Sequence, residues 1–289
     1  RSVRRREHAF CTMDHIVDTR PGRGDETLMP SGRDFIVATR HAAHETGIQL
    51  FDIADADQGI VHVISPELGI ALPGLTLVCP DSHTCTLGGL GALAWGVGST
   101  EAEHALATST LRVTRPQTMR VTYTGELASG VTAKDLILFT IRELSAAGGA
   151  GYAIEFAGSA VESLSVEARL TLCNMTTELS AFTGLIAPDQ KVLEYCMGRR
   201  YAPQDAVWEH ASGYWQSLRS DEGANFDCEQ LMDIDSLKPQ LSWGTSPQHC
   251  IDWNGTIPQP ADASDEDQAT AWSRAQRYMD VRGGSRLSD

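Results

Sequence analysis

Leu75-Thr76-Leu77-Val78-Cys79-Pro80-Asp81-Ser82-His83 is the stretch on which the fold turns. A short apolar run, entered from Pro73-Gly74 and closed by Pro80, reads as a buried strand; it is too short for a helix. Asp81, Ser82 and His83 follow at once. The carboxyl end of a strand in a layered α/β fold is where such folds place their chemistry.

On either side of this strand, apolar runs alternate with helical patterns, which predicts an α/β layered fold. Residues 100–111 read as a helix, with Thr100 and Glu103 in capping-box spacing. Met119, Val121 and Tyr123 alternate as in a half-buried strand. Residues 132–147 form a second predicted helix, with Ile137, Ile141 and Leu144 on one face and Gly148-Gly149 as the stop. Residues 153–157 are a strand candidate, and a third helix is expected over 166–181. Residues 199–240 read as a Trp- and Tyr-rich helical stretch followed by a polar turn region. Residues 254–268 read as a loop.

The composition is that of a globular chain: 289 residues, 42% hydrophobic and 21% charged, enough for one large or two ordinary domains. No apolar run is long enough to cross a bilayer, and no signal-peptide pattern follows Arg1, Arg4, Arg5 and Arg6. A net charge of −15 disfavours nucleic acid and anionic membranes as partners. Seven scattered cysteines without Cys-x-x-Cys spacing, and no secretory signal, read as reduced thiols of a cytoplasmic protein.

Individual motifs are weak. Asp81-Ser82-His83 holds the residue types of a serine hydrolase, but adjacent side chains diverge and no nucleophile elbow is present. The run Gly89-Leu90-Gly91-Ala92-Leu93-Ala94 matches a relaxed dinucleotide fingerprint without the preceding strand or the later acid. Its glycines read instead as sites of close backbone approach. His41 and His44 share a helix face but lack a third ligand. Asp14-His15 and Asp57 with His62 put carboxylates near imidazoles, a common acid–base device that is more often structural. Asn174 and Glu178 stand four apart, as on one helix face.

In order, the motifs are more telling. Met13-Asp14-His15, Asp57-Gln58-Gly59-Ile60-Val61-His62, Asp81-Ser82-His83-Thr84, the glycine-rich 88–98 and Cys173-Asn174-Met175 with Glu178 follow one another. This succession resembles the aconitase superfamily, and in detail the large subunits of its 3-isopropylmalate dehydratase branch. Trp243-Gly244-Thr245-Ser246-Pro247 and Leu185-Ile186-Ala187-Pro188-Asp189 extend the resemblance over nearly the whole chain. It implies three-layer α/β/α lobes: residues 1–116 a first lobe lacking its N-terminal part, 117–240 a second, and 241–289 the start of an incomplete third.

The resemblance also implies a hydro-lyase that interconverts 2-isopropylmalate and 3-isopropylmalate in leucine biosynthesis, using a [4Fe–4S] cluster and a small subunit that carries the swivelling lobe. The implied catalytic pairs are Asp14 with His15, Asp81 with His62, and Glu178 with His83. Ser82 and Thr86 would bind substrate, and Asn174 would lie beside the cluster without ligating it. In aconitase itself the base that takes the carbon-bound proton is a serine of the swivelling lobe, and nothing here matches it.

Neither cluster-cysteine motif of the family is present, so no metal ligand is assigned in this chain. With Arg1 and Asp289 both falling inside the family pattern, the chain is expected to be a partial one, inactive and aggregation-prone by itself. Cys85-Thr86-Leu87 stands where the dehydratases have Ser-Thr-His, which with Trp95 points toward a paralogue. The alternatives are therefore a related hydro-lyase on citramalate, dimethylmalate or homocitrate, and a truncated, non-catalytic binding module.

Overall fold

The computed structural model describes residues 2–286, so Arg1 of the basic cluster and the expected end at Asp289 lie outside the described residues. The fold is mixed α/β, with parallel strand pairs and flanking helices. Near the N-terminus β1 (Phe10–Thr12) pairs in parallel with β2 (Gln49–Phe51), and α1 (Gly32–Thr46) lies between them in sequence. Met13, Ile36 and Ile53 make a small core there. The short helix α2 (Val61–Leu68) leads to β3 (Thr76–Cys79), the strand expected from the opening stretch. β3 pairs in parallel with β4 (Leu93–Gly96). Between them runs a 3-10 segment, Ser82–Leu90, buried from Thr84 onward.

Helix α3 (Ser99–Thr108) starts one residue before the expected position. Its cap is not Thr100 with Glu103: the Glu101 carboxylate accepts from the Gly98 N–H at 2.9 Å, and Thr100 already lies in the first turn.

The main sheet has four parallel strands in the order β7-β6-β5-β8: β5 (Gln117–Thr124), β6 (Tyr152–Ala157), β7 (Thr183–Leu185) and β8 (Cys228–Asp233). Met119, Val121 and Tyr123 of β5 point into its core with Ile154 and Phe156 of β6. Helix α4 (Ala133–Leu144) adds Leu136, Ile137 and Ile141. Its Thr132 cap accepts from the Asp135 N–H, and it ends at Ser145, which takes a left-handed φ of 69°, three residues before the expected glycines. Tyr123 and Thr140 share a buried hydroxyl–hydroxyl bond of 2.7 Å.

After α5 (Ser159–Ser163), α6 (Val166–Asn174) is shorter than expected. At Met175 it gives way to a 3-10 turn, Met175–Leu179. The Thr176 hydroxyl donates to the Cys173 carbonyl at 2.7 Å, competing with the helical ladder, and two β-branched residues in a row weaken it further. Strand β8 occupies what reads in sequence as a polar turn region. It is a sheet edge, with Glu229, Leu231 and Asp233 outward and a polar Gln230 inward, so no clean apolar alternation marks it.

A second core joins Leu87, Leu90, Ala92 and Ala94 to Val166, to Val192 and Leu193 of α7 (Gln190–Cys196), and to Trp215 of α8 (Asp205–Gln216). The close approach expected of the glycine-rich run is seen at Gly88: a Cβ there would sit 1.7 Å from the Gly184 carbonyl oxygen. That approach lets the Ser82–Leu90 segment pack directly on β7, where the Ile186 N–H donates to the Gly88 carbonyl at 3.0 Å. Residues beyond the sheet form the hairpin of β9 (Gln240–Ser242) and β10 (Cys250–Asp252) and helix α9 (Glu266–Met279), around Trp243 and Trp272. No helix of the described residues is long and apolar enough to cross a membrane.

Candidate active site

The site begins where β3 ends. Asp81 keeps an extended backbone, and its side chain turns back to accept from the His83 N–H at 2.8 Å, capping the 3-10 segment. Gly96 of β4 makes room for this turn, because a Cβ there would meet the Asp81 carbonyl oxygen at 2.5 Å and the Ser82 Cα at 3.0 Å. The loop after β1 brings in Asp14 and His15, held by the buried Met13, whose N–H donates to Phe51. The first turn of α2 brings in His62, which is buried. His15, His62, Asp81, Ser82, His83 and Asn174 line one cleft of about 430 Å³, with Ile60 and Pro80 as its apolar wall.

Three carboxylate–imidazole pairs converge here. His15 Nδ1 lies 2.7 Å from Asp14 Oδ1, His62 Nε2 lies 2.9 Å from Asp81 Oδ1, and His83 Nε2 lies 3.3 Å from Glu178 Oε1. A fourth contact was not legible in sequence: His15 Nε2 is 3.1 Å from Asp81 Oδ2. Asp81 is therefore a hub. One oxygen accepts from His62 and the His83 N–H, and the other faces His15.

The chemistry of the acceptors assigns the protons. A carboxylate only accepts, so the His62 ring carries a proton on Nε2, and the Glu178 carboxylate 3.3 Å from His83 Nε2 favours a proton there as well. His83 Nδ1 is then free to accept from the Ser82 hydroxyl, 3.0 Å away. His15 faces carboxylates on both nitrogens and is matched to the doubly protonated imidazolium. Its pKa is raised, chiefly by the hydrogen bond it donates to Asp14 and also by the charges of Asp14 and Asp81, against a smaller opposing effect of burial. Burial by itself would raise the Asp81 carboxyl, but the His83 N–H, His62 and His15 outweigh it and hold it below the ordinary carboxylate value.

Not every candidate faces the cleft. Glu178 stands behind His83, and Asp14 behind His15. Thr86 is buried, and its hydroxyl donates to the His83 carbonyl at 2.6 Å while accepting from Asn174 Nδ2 at 2.9 Å. Asn174 and Glu178 do reach the same neighbourhood, though across the α6-to-3-10 break and not along one helix face. Asp57 pairs with Arg200 at 2.8 Å, apart from His62. His41 pairs with Glu45 on an exposed face of α1.

Cys85 and Leu87, the departures from the dehydratase pattern, are buried, and Trp95 packs at a tilt against Phe182 with ring centroids 5.1 Å apart. None of them lines the cleft. The residues present do not fit an iron–sulfur cluster. No cysteine lines the cleft, and among the described residues no group of three or more His, Cys, Asp or Glu is placed to hold a metal ion.

The chain is 49% identical over 282 residues to "3-isopropylmalate dehydratase large subunit 1" of Bradyrhizobium diazoefficiens, which covers 98% of this chain. It spans only 59% of that relative's length. The profile of the aconitase family (aconitate hydratase) matches residues 1–289, and the chain belongs to the aconitase family.

Proposed function

We propose that this chain carries the acid–base part of a hydro-lyase site that interconverts 2-isopropylmalate and 3-isopropylmalate in leucine biosynthesis. The observation that carries the reading is the convergence of three imidazole–carboxylate pairs on one cleft. The similarity to a dehydratase large subunit supports it.

In this reading His15 is the acid. Its ring is largely exposed to the cleft, and its Nε2 contact with Asp81 is the longer of its two. A substrate hydroxyl displaces that contact and takes the proton as it departs as water. Asp14 keeps hold of Nδ1 and fixes the ring. Asp81 orients His62, and Glu178 orients His83, so that both rings present defined tautomers. Ser82 binds a substrate carboxylate through its hydroxyl, which requires that proton to leave His83 Nδ1. Thr86 supports this loop from behind, and Asn174, which lines the cleft, donates to Thr86. No residue of this chain is assigned the removal of the carbon-bound proton; that base belongs to a small-subunit partner, in keeping with the "large subunit" name of the relative.

An iron–sulfur cluster is part of the family's chemistry, where it acts as a Lewis acid on the hydroxyl. Among the described residues no group is placed to hold it.

The proposed lobe division near residue 116 is supported by the main sheet falling wholly within residues 117–233. Val166, Val192 and Trp215 nevertheless pack against the Ala71–Ala94 side. A third lobe would start near residue 241. A cytoplasmic location suits the seven cysteines, all of them free thiols.

The test is a steady-state assay of the full-length protein with its small subunit on 2-isopropylmalate and citramalate. Turnover of isopropylmalate that is lost in His15→Asn supports the reading. Turnover of citramalate alone, or isopropylmalate turnover indifferent to His15, overturns it.

A further inference from the structure

We propose that Thr177 is a positioning residue that sets the register between His83 and Glu178; the inference deepens the hydro-lyase reading and rests on it. The Thr177 hydroxyl lies 2.8 Å from the Ser82 carbonyl oxygen. A carbonyl only accepts, so Thr177 donates, and its oxygen is left to accept from the Cys85 thiol, 3.1 Å away, whose single proton is shared with the Asn174 carbonyl at 3.6 Å. A relay of S–H to O–H to C=O thus ties the 3-10 turn Met175–Leu179 to the Ser82–Leu90 segment.

The placement matters because adjacent residues meet adjacent residues. Ser82 meets Thr177, and His83 meets Glu178. The His83–Glu178 contact is the loosest of the three pairs, at 3.3 Å, with both side chains about one-third exposed. A pair that open to water does not hold its own geometry. The neighbouring Thr177–Ser82 bond is the closest side-chain tie between the two elements at that point.

On the far side, Thr86 holds the next carbonyl, that of His83, and itself accepts from Asn174. Two consecutive carbonyls are therefore pinned by two hydroxyls. Of the two threonines, only Thr177 comes from the turn that bears Glu178. Cys85, a departure from the dehydratase pattern that lies outside the cleft, has a place in this arrangement as the donor to Thr177.

The experiment compares Thr177→Val, which keeps the shape and removes the hydroxyl, with Thr177→Ser, which restores it. The first readout is the side-chain ¹⁵N spectrum of His83 in the histidine-labelled full chain. Wild type is expected to show a protonated Nε2 and an acceptor Nδ1. Thr177→Val is expected to move the two shifts toward each other, and Thr177→Ser to return them. The second readout is kcat/KM of the enzyme assembled with its small subunit, expected to fall by about 10- to 100-fold in Thr177→Val, the scale of a misplaced catalytic group, and to recover in Thr177→Ser.

Cys85→Ala guards against a Thr177→Val chain that fails to fold; it removes only the thiol donor and is expected to move the His83 shifts in the same direction by less. Unchanged His83 shifts in the folded variants, or equal losses in Thr177→Val and Thr177→Ser, overturn the proposal. The spectra need no substrate. A wild-type enzyme that turns over no malate derivative would sink the hydro-lyase reading and leave the positioning of His83 to be judged by the spectra.

Discussion

His15 Nε2 and Asp81 Oδ2 meet at 3.1 Å, and this contact joins two imidazole–carboxylate pairs into one network. Asp14, His15, Asp81 and His62 form a continuous line from the loop after β1 to the first turn of α2. The charge state of one member is felt by the others.

The first prediction concerns His15. Its pKa in the folded chain stands above the ordinary 6.5, with the Asp14 hydrogen bond as the main cause. The resulting stabilisation is fully present below pH 6.5 and is lost as pH rises through the higher folded value. Asp14→Asn should lower the His15 midpoint in an NMR titration, and Asp81→Asn should lower it less. A wild-type midpoint below 6.5 would contradict the assigned network.

Asp81→Asn tests the hub. The depressed carboxyl contributes stability above pH 3.8 that is lost as pH falls through the lower folded value. The variant should therefore show a flatter loss of stability on acidification. In the assembled enzyme it should cost about 10²- to 10⁴-fold in kcat/KM, the range for removing acid–base function. Retention of near-wild-type activity would show that the two histidines do not depend on this carboxylate.

A third prediction lies outside the cleft. Arg169 is 1% exposed, donates to Asp189 at 2.5 Å and to the Glu162 carbonyl at 3.1 Å, and leaves Nε and Nη1 without partners. Asp189→Asn keeps the cap of α7 but strips the guanidinium of its counter-charge. A loss of about 3–5 kcal/mol is expected in urea unfolding. Arg169→Met removes the buried charge as well and should be milder. The reverse order would mean that the guanidinium is compensated elsewhere.

Gly88→Ala tests the packing behind the site. The added carbon would lie 1.7 Å from the Gly184 carbonyl oxygen, so β7 must move. Overpacking of this kind costs about 1–3 kcal/mol or more. A thermal melt should show a clearly lower midpoint, and an unchanged Tm would mean that the segment and β7 are not in contact.

The amino-acid sequence by itself determined the α/β class, the strand Thr76–Cys79 and the residues worth watching. Local rules suffice there: alternation in Met119, Val121 and Tyr123, turn signals around an apolar run, and the order of short polar motifs. It misjudged the places where tertiary contacts compete with local preference. The helix through 166–181 breaks where the Thr177 hydroxyl finds the Ser82 carbonyl to bond, and β8 is a strand because β5 offers it an edge. Only the tertiary structure decided that Asp81 serves two histidines, that Thr86 meets Asn174 away from the cleft, and that Thr177 holds the Ser82 carbonyl. These are contacts between residues far apart in the chain, set by how α2, β3 and α6 pack. No spacing along a sequence encodes the distance between two side chains that only packing brings together.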